Sequence, residues 1–395
     1  MPFVRPATTP PATPYLHNLT YTDVTSANSV GLREMSADRR TIYATRGTTI
    51  VKSTNDGGTW TTVYSHSIGG GIVGFWLLPN SEALYSTKVG GSPGKVYYST
   101  GFAANDTTAT WTESTGLITT RGDSYVHEAW GLSFAPAGHV REGLVVATEY
   151  GGQDAASETD DSLSPKIWLS IDYGKTFRII GQQYVILSQR TGQHMHGAIY
   201  DPWSDGVVIS FGDGSGSNGA KTGVMISYDF LSATPTWSYL YGPVNGAEFQ
   251  PTTMLATSNS IIMGGDGAPP GIYRIPRRGY RQFGKIHTAL NHGGGTDTGW
   301  IGQKIYQHSP GRIILLSHQM IKSFTYPNVL NGSFDGVDFF EIWRDDAQAK
   351  IGTFPSITAI GPTASGKVLM HLKGDGRTAN NNTFVTGDLM IPPKA

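Results

Sequence analysis

The chain has 395 residues, with 29 Lys and Arg against 30 Asp and Glu and a formal net charge of −1. This balance argues against a nucleic-acid binder, which needs a basic surface to displace counterions, and against charge-driven membrane binding. The chain has no cysteine, which excludes disulfides and cysteine-ligated zinc, and no apolar run approaches the ~18 residues of a membrane span.

The N-terminal segment, residues 1–14, is rich in Pro and Thr where a signal peptide would be apolar. We therefore expect the protein not to be exported by the usual secretory route. Residues 1–20 are predicted to form an arm or linker, and residues 21–395 a single folded domain.

A short apolar, β-rich run recurs along the whole chain. The runs are Thr41–Thr45, Ala83–Thr87, Leu144–Thr148, Val207–Phe211, Ile261–Gly265, Ile313–Ser317 and Val368–Leu372. The runs recur every 42 to 63 residues, and known propeller blades have periods of ~40 to ~50 residues. Apolar runs with β-branched residues also suit strands buried on both faces. The sequence therefore predicts an all-β fold, a seven-bladed β-propeller.

Each apolar run follows a partner strand that ends in a turn, as Gly131–Pro136 does before the third run. We name the partner strand A and the apolar run strand B; strands C and D complete a blade. The last unit has no evident strand D after Thr383–Thr386. The alternating segment 15–21 is a candidate for it, and its pairing there would hide both sheet edges.

Two turns between strands C and D share a pattern of Ser, Asp or Asn, Gly and a closing aromatic residue. The members are Ser53, Asn55, Gly57 and Trp60 in the first unit, and Ser170, Asp172, Gly174 and Phe177 in the third. They resemble the Asp-box, or BNR repeat, of sialidase-like propellers, and decayed copies begin at Ser99 and Ser227. The resemblance implies a sialidase-like architecture in which these turns are structural and the ligand site lies on the opposite face.

On that opposite face, strands B end and strands A begin. Glu149 and Asp213 follow adjacent B runs, and two carboxylates facing one pocket are what glycoside hydrolysis requires. His194 and His196 are two residues apart, so on a regular strand they would point to the same side and share a ligand. These four residues are the predicted catalytic set; the alternatives are solvated turn carboxylates and histidines bonded to loop carbonyls.

Other side chains at this rim are predicted to bind substrate through hydrogen bonds and ring stacking. They are His127, Glu128, Trp130, Tyr150, Asp266, Trp300 and His318. The alternative for His127 and its neighbours is an inner-rim packing cluster. No cofactor is predicted, although a divalent metal at His194 and His196 is an alternative.

True sialidase activity is not expected. Tyr273–Pro276 looks like the sialidase arginine motif, but the repeat register assigns it to strand C of the fifth unit, away from the axis. Only Arg46 occupies a rim position, whereas a sialic-acid carboxylate favours several bidentate arginine partners.

The chain also resembles Asp-box proteins encoded among the minor tail genes of actinobacterial phages. This resemblance implies a virion protein of the phage tail, made in the host cytoplasm, whose partners are host cell-surface glycans and other tail proteins. Two alternatives remain: a stand-alone glycoside hydrolase or polysaccharide lyase, and a purely structural scaffold propeller.

Overall fold

The computed structural model describes most of the chain with internal gaps. The described residues are 14–24, 30–67, 70–119, 124–127, 130–150, 164–187, 194–212, 221–245, 250–265, 271–277, 284–288, 300–320, 329–344, 356–373 and 382–390. None of the helices formed by these residues is long and apolar enough to cross a membrane.

The described strands form seven four-stranded antiparallel sheets, the blades of a seven-bladed β-propeller. Blade 1 contains β2 (Gly31–Met35), β3 (Ile42–Arg46), β4 (Thr49–Ser53) and β5 (Thr61–Ser65). Blade 2 contains β6 (Gly71–Leu77), β7 (Ala83–Lys88), β8 (Lys95–Thr100) and β9 (Thr110–Ile118). Blade 3 contains β10 (Leu132–Phe134), β11 (Val145–Thr148), β12 (Lys166–Ser170) and β13 (Arg178–Gln182), followed by the short helix α1 (Gln183–Leu187).

The remaining blades repeat this order. Blade 4 contains β14 (His194–Asp201), β15 (Gly206–Gly212), β16 (Lys221–Ser227) and β17 (Ser238–Asn245). Blade 5 contains β18 (Pro251–Ala256), β19 (Ser260–Gly265), β20 (Gly271–Pro276) and β21 (Gly284–Thr288). Blade 6 contains β22 (Trp300–Tyr306), β23 (Ile314–Met320), β24 (Val329–Ser333) and β25 (Phe340–Arg344). Blade 7 contains β26 (Ser356–Ile360), β27 (Lys367–Lys373), β28 (Asn382–Met390) and β1 (Tyr15–Asp23).

The predicted fold is confirmed, because each of the seven apolar runs is the second strand of one blade. Their side chains are buried on both sides. In β15, for example, Val207 and Ile209 pack towards blade 3, whereas Val208 packs towards blade 5. An apolar run without polar alternation suits this environment, since neighbouring blades cover both faces of each inner strand.

The first described strand of the chain completes the last blade. Strand β1 pairs with β28 in antiparallel register, with Tyr15 opposite Met390 and Tyr21 opposite Val385. We call the face where A strands begin and B strands end the upper face, and the face with the A–B and C–D turns the lower face. Strand β1 therefore starts at the lower face of blade 7, where β28 also ends.

The C–D turns of blades 1 and 3 are held by the same hydrogen bonds. The hydroxyl of Ser170 donates to Oδ1 of Asp172 (2.7 Å) and accepts from the Gly174 N–H (2.9 Å), and Thr176 N–H donates to Asp172 Oδ1 (2.9 Å). In blade 1, Asn55 Oδ1 replaces the carboxylate and accepts from Thr59 N–H at 2.9 Å. A side-chain acceptor inside a tight turn satisfies N–H groups that no strand reaches.

Glycine is required in the blade 3 turn for two reasons. Gly174 has φ +81°, and a Cβ there would lie 2.8 Å from the Leu84 side chain of blade 2. The turn therefore packs directly against the preceding blade, and Phe177 of the same turn is buried in the core between blades 2 and 3.

Two other turns differ from what the sequence pattern indicated. In blade 2, the Ser99 hydroxyl donates to Glu82 Oε2 (2.6 Å), so the acceptor comes from the A–B turn rather than from the C–D turn. In blade 6, Ser333 and Asp335 form a Ser–Asp turn that the pattern missed, with Ser333 Oγ donating to Asp335 Oδ1 at 3.1 Å. The pattern missed it because glycine comes directly after the aspartate, at Gly336, one position early.

Candidate functional site

The best-described part of the upper face is the entrance to blade 3. Here the segment before β10 pairs with the segment after β11, since Tyr125 N–H donates to Tyr150 O (3.0 Å) and Tyr150 N–H donates to Tyr125 O (2.9 Å). Blade 2 supports the same segment, because the Ser86 hydroxyl donates to Val126 O at 2.9 Å. This pairing brings together side chains that are 25 residues apart in the sequence.

Four aromatic side chains meet at this entrance, and we call Tyr125, His127, Trp130 and Tyr150 the ring cluster. The imidazole of His127 stacks on the Trp130 indole, with ring centroids 3.6 Å apart and planes at 3°. Tyr150 contacts both rings edge-on, at 5.2 Å from His127 and 5.9 Å from Trp130. The edge-to-face contacts of Tyr150 are a favourable geometry for aromatic pairs, so Tyr150 packs with the other two rings as one group.

The cluster has a buried floor and a partly exposed rim. Trp130 is only 8% exposed and His127 is also buried, whereas Tyr125 and Tyr150 are partly exposed. The indole Nε1 of Trp130 is buried and has no hydrogen-bond partner among the described residues. A buried donor without a partner costs free energy.

One cation borders the ring cluster. The ammonium of Lys88, at the end of β7 in blade 2, lies 4.4 Å from the centroid of the Tyr125 ring. Lys88 is exposed, so its charge remains in contact with solvent at the rim. This geometry is a cation–π contact, and it fixes a positive charge beside the aromatic rings.

Glu149 lies next to the cluster but is turned into the protein. It follows β11, it is 1% exposed, and its Oε2 accepts a hydrogen bond from Lys166 N–H at 3.3 Å. A buried carboxylate bonded to the backbone can orient the loop after strand B. In this structure the Glu149 carboxylate is not open to solvent.

His196 is buried in blade 4 and contacts blade 5. Its Nδ1 lies 2.8 Å from Pro251 O, and because a carbonyl can only accept, Nδ1 carries the proton. The strand register shifts between Met195 and Gly197, so His196 occupies a β-bulge. The bulge breaks the alternation on which the expected same-side arrangement of His194 and His196 depended.

The other predicted site residues have only partial descriptions. Glu128, Asp213 and Asp266 lie outside the described residues. His194 and Trp300 begin β14 and β22, and His318 lies near the end of β23, so their backbones are at the upper face. Their side chains lie outside the described residues. The structure thus brings His127, Trp130 and Tyr150 into one cluster and leaves the four-residue catalytic set a prediction.

Sequence reasoning missed Tyr125 and did not count Lys88 as a ligand contact. Tyr125 comes two residues before His127, and this alternation ahead of strand A was the signal that it lies on the same side. Within the described part of the chain, no group of three His, Cys, Asp or Glu side chains could hold a metal ion.

Comparisons with known proteins identify the fold but no family. No family model and no curated protein matches the chain. The fold is similar to that of the GH74 xyloglucanase from Xanthomonas campestris, with TM-score 0.54 and 12% identity over 93% of this chain and 55% of that chain. It is also similar to a puromycin hydrolase S511A mutant, with TM-score 0.54 and 11% identity over 93% and 54% of the two chains.

A third similar structure is prolyl oligopeptidase B from Galerina marginata, with TM-score 0.52 and 8% identity over 93% of this chain and 52% of that chain. The chain therefore spans about half the length of these proteins. Because these identities are low and the chemistries differ, the likeness shows the propeller fold alone.

Proposed function

We propose that the protein binds a host cell-surface glycan through the ring cluster and serves as a component of a bacteriophage tail. The observation that carries the proposal is the ring cluster itself, with two partly exposed tyrosines over a stacked His127–Trp130 floor. Ligand sites typically combine such apolar and aromatic walls with a few polar groups. Lys88 is an exposed polar group beside these rings.

We further propose that the Ser–Asp turns are Asp-boxes of a sialidase-like propeller. The similarity to a xyloglucanase supports only the narrower point that this fold can carry action on a glycan. The position of β1 supports attachment to a tail. A tether formed by the residues before Tyr15 would leave from the lower face, so the ring cluster on the upper face would stay accessible.

Binding is favoured over cleavage because Glu149 is buried and bonded to the backbone of Lys166. A hydrolase would need Glu149 and Asp213 to reach the sugar from the two sides of the scissile bond. A lyase would need His127, His194 or His196 with Tyr150 beside a uronate. Hydrolase and lyase activity are therefore alternative outcomes of the binding experiment.

The experiment measures retention of the purified protein on immobilised envelope glycan from a candidate host. Tyr150→Ala removes one wall of the ring cluster and is expected to weaken retention roughly 10-fold or more, as expected for loss of a ring at the centre of a contact. Tyr15→Ala, an exposed tyrosine of blade 7, is the matched control and should retain wild-type binding. Unchanged retention in a Tyr125→Ala/Tyr150→Ala double variant would exclude the ring cluster as the site.

The same incubation separates binding from catalysis. New reducing ends without absorbance at about 235 nm indicate a hydrolase, both signals together indicate a lyase, and neither signal with retention indicates a binding protein. If cleavage occurs, Glu149→Gln tests whether Glu149 takes part. Probing purified virions with an antibody tests the tail assignment, and absence from virions would contradict it.

A further inference from the structure

The loop between strands B and C of blade 2 contacts Tyr125 of the ring cluster at two points. This loop, residues 89–94, connects β7 to β8 at the upper face. The ammonium of Lys88, which immediately precedes the loop, lies 4.4 Å from the centroid of the Tyr125 ring. Gly94, which ends the loop, is buried against the main chain of Tyr125. One loop of blade 2 therefore contacts both the ring and the backbone of a residue that belongs to blade 3.

The main chain on both sides of Tyr125 is hydrogen-bonded to blade 2. The carbonyl of Ser124, just before it, accepts from the Gly94 N–H at 3.0 Å. The carbonyl of Val126, just after it, accepts from the hydroxyl of the buried Ser86 at 2.9 Å. Blade 2 thus fixes the residues before and after Tyr125, so the position of this ring depends on two blades.

The approach between Gly94 and Tyr125 leaves no room for a side chain on the glycine. A Cβ at this position would lie 2.8 Å from Ser124 O, 2.8 Å from Thr87 O and 2.9 Å from Tyr125 Cα. All three are main-chain atoms, whereas non-bonded carbon atoms are best separated by about 3.5 to 4.0 Å. The φ angle of Gly94 lies outside the left-handed region, so this contact, and not the backbone conformation, is what excludes alanine.

The tip of the same loop has no such requirement. Gly90 is exposed, and a Cβ on it would meet no atom of the described residues within 4 Å. Its φ angle also lies outside the left-handed region. Alanine therefore fits at Gly90 and does not fit at Gly94, which makes the two positions a matched pair for experiment.

The main-chain contact constrains Tyr125 more than the lysine contact does. A cation–π contact at an exposed site is weak, and the lysine stem can adopt other rotamers. An overlap of main-chain atoms cannot be relieved by a rotamer change, so a contact at 2.8 Å must move one segment by roughly 0.5 Å or more. Binding groups have to be held within about 0.5 Å of their working geometry. A displacement of this size is therefore enough to disturb a ligand surface.

We propose that blade 2 positions Tyr125 through Gly94 and Ser86, so that the ligand site of the ring cluster belongs jointly to blades 2 and 3. The positioning stands on the contacts above, and its consequence for glycan binding rests on the function proposed in the preceding section. Gly94 is a positioning residue, because it acts through Tyr125. The missing side chain at Gly94 lets the two main chains approach, and the Ser86 hydroxyl bonds the carbonyl that follows Tyr125.

The first test follows the Tyr125 ring without any ligand. Reductive methylation with isotope-labelled formaldehyde gives lysine methyl signals in NMR spectra, and the Lys88 signal should be shifted upfield by the ring 4.4 Å away. Lys88→Arg assigns the signal, and Tyr125→Ala gives its position without the ring. In Gly94→Ala the signal should move towards the Tyr125→Ala position, and in Gly90→Ala it should stay at the wild-type position. An unchanged Lys88 signal in Gly94→Ala overturns the proposal.

The second test measures retention on the immobilised envelope glycan. Gly94→Ala is expected to weaken retention about 5-fold or more, because Tyr125 leaves its place beside Tyr150. Gly90→Ala should be retained as the wild type is. In a Tyr125→Ala background, Gly94→Ala should have no further effect, since it acts through the ring that is already absent. A general loss of stability would weaken retention equally in both backgrounds, and that result overturns the proposal.

Thermal unfolding of each variant identifies the folded proteins. If Gly94→Ala does not fold, Ser86→Ala takes its place, because it removes the donor to Val126 O without adding volume. Wild-type retention and a wild-type Lys88 signal in Ser86→Ala then overturn the proposal. Full retention of Gly94→Ala beside reduced retention of Tyr125→Ala/Tyr150→Ala overturns this inference alone. A wild-type protein that is not retained overturns the proposed function, and the Lys88 signal then decides the positioning by itself.

Discussion

The ring cluster and the lower-face turns of blades 3 and 4 both carry aromatic and apolar side chains, but these side chains differ in how far they are buried. In the ring cluster, Trp130 and His127 are buried and stacked, so they contribute to stability as well as to a ligand surface. In the lower-face turns of blades 3 and 4, Val140 and Tyr228 are exposed, and side-chain hydrogen bonds within each turn hold the turn in place. The type of a residue therefore does not indicate its structural role. Packing against the neighbouring blade sets how much of an aromatic or apolar side chain is exposed to solvent.

The largest expected effect is the loss of the buried indole. Trp130→Ala should lower the free energy of unfolding by about 3 to 5 kcal/mol, the range for removal of a large buried aromatic side chain. Tyr228→Ala in the C–D turn of blade 4 should change the free energy of unfolding by no more than about 0.5 kcal/mol, as for an exposed side chain. Urea denaturation at low protein concentration measures both. Equal losses in the two variants would contradict the contrast between the regions.

A smaller effect is expected from the turn that supports Ile171. Asp172→Ala leaves the N–H groups of Lys175 and Thr176 without their acceptor and should cost about 1 to 3 kcal/mol. Asp172→Asn should cost less, because Asn55 fills the equivalent position in blade 1. Chemical denaturation of both variants tests whether Asp172→Ala loses more stability than Asp172→Asn. Thr54→Ala, at an exposed position, is the control. A larger loss for Asn than for Ala would contradict this account.

The smallest expected effect is the contribution of Asp172, in the C–D turn of blade 3, to the fall of the melting temperature in acid. Burial raises the pKa of Asp172, but hydrogen bonds from Ser170 and Thr176 outweigh it and leave the pKa below the ordinary value. A carboxylate with a lowered folded-state pKa stabilises the fold above its unfolded pKa of about 3.9 and loses that contribution as pH falls through the folded value. Melting temperatures between neutral pH and pH ~2.5 should therefore fall less steeply in Asp172→Asn than in the wild type. Parallel curves would show that Asp172 does not contribute.

Much of the fold was predictable because its signal is local. Each B run carries its own apolar, β-branched composition, and each run became the second strand of a blade. The missed turn at Ser333 shows the limit of a fixed spacing, because Gly336 satisfies the same geometry one residue early. The bulge at His196 shows another limit, since spacing arguments assume regular alternation along a strand. The same-side arrangement of His194 and His196 stays a prediction, because the His194 side chain lies outside the described residues.

The candidate site was predictable only in part. The repeat register predicted His127, Trp130 and Tyr150 at the upper face, because strand A begins at the face where strand B ends. It did not indicate that Trp130 and His127 would stack or that Lys88 of blade 2 would reach Tyr125. The Lys88–Tyr125 contact joins blades 2 and 3, so its geometry depends on how the two sheets pack against each other. The His127–Trp130 stack lies within one irregular segment, whose conformation no repeat spacing specifies.

By itself, the sequence determined the number of blades, the identity of the inner strands and the Ser–Asp/Asn turns of blades 1 and 3, because these depend on residues close together in the chain. Only the tertiary structure decided which side chains are buried. It buried Glu149 and His196 and left Val140 and Ile171 exposed. The physical reason is that burial is set by the adjacent blade, whose residues are distant in sequence and whose packing no single repeat encodes.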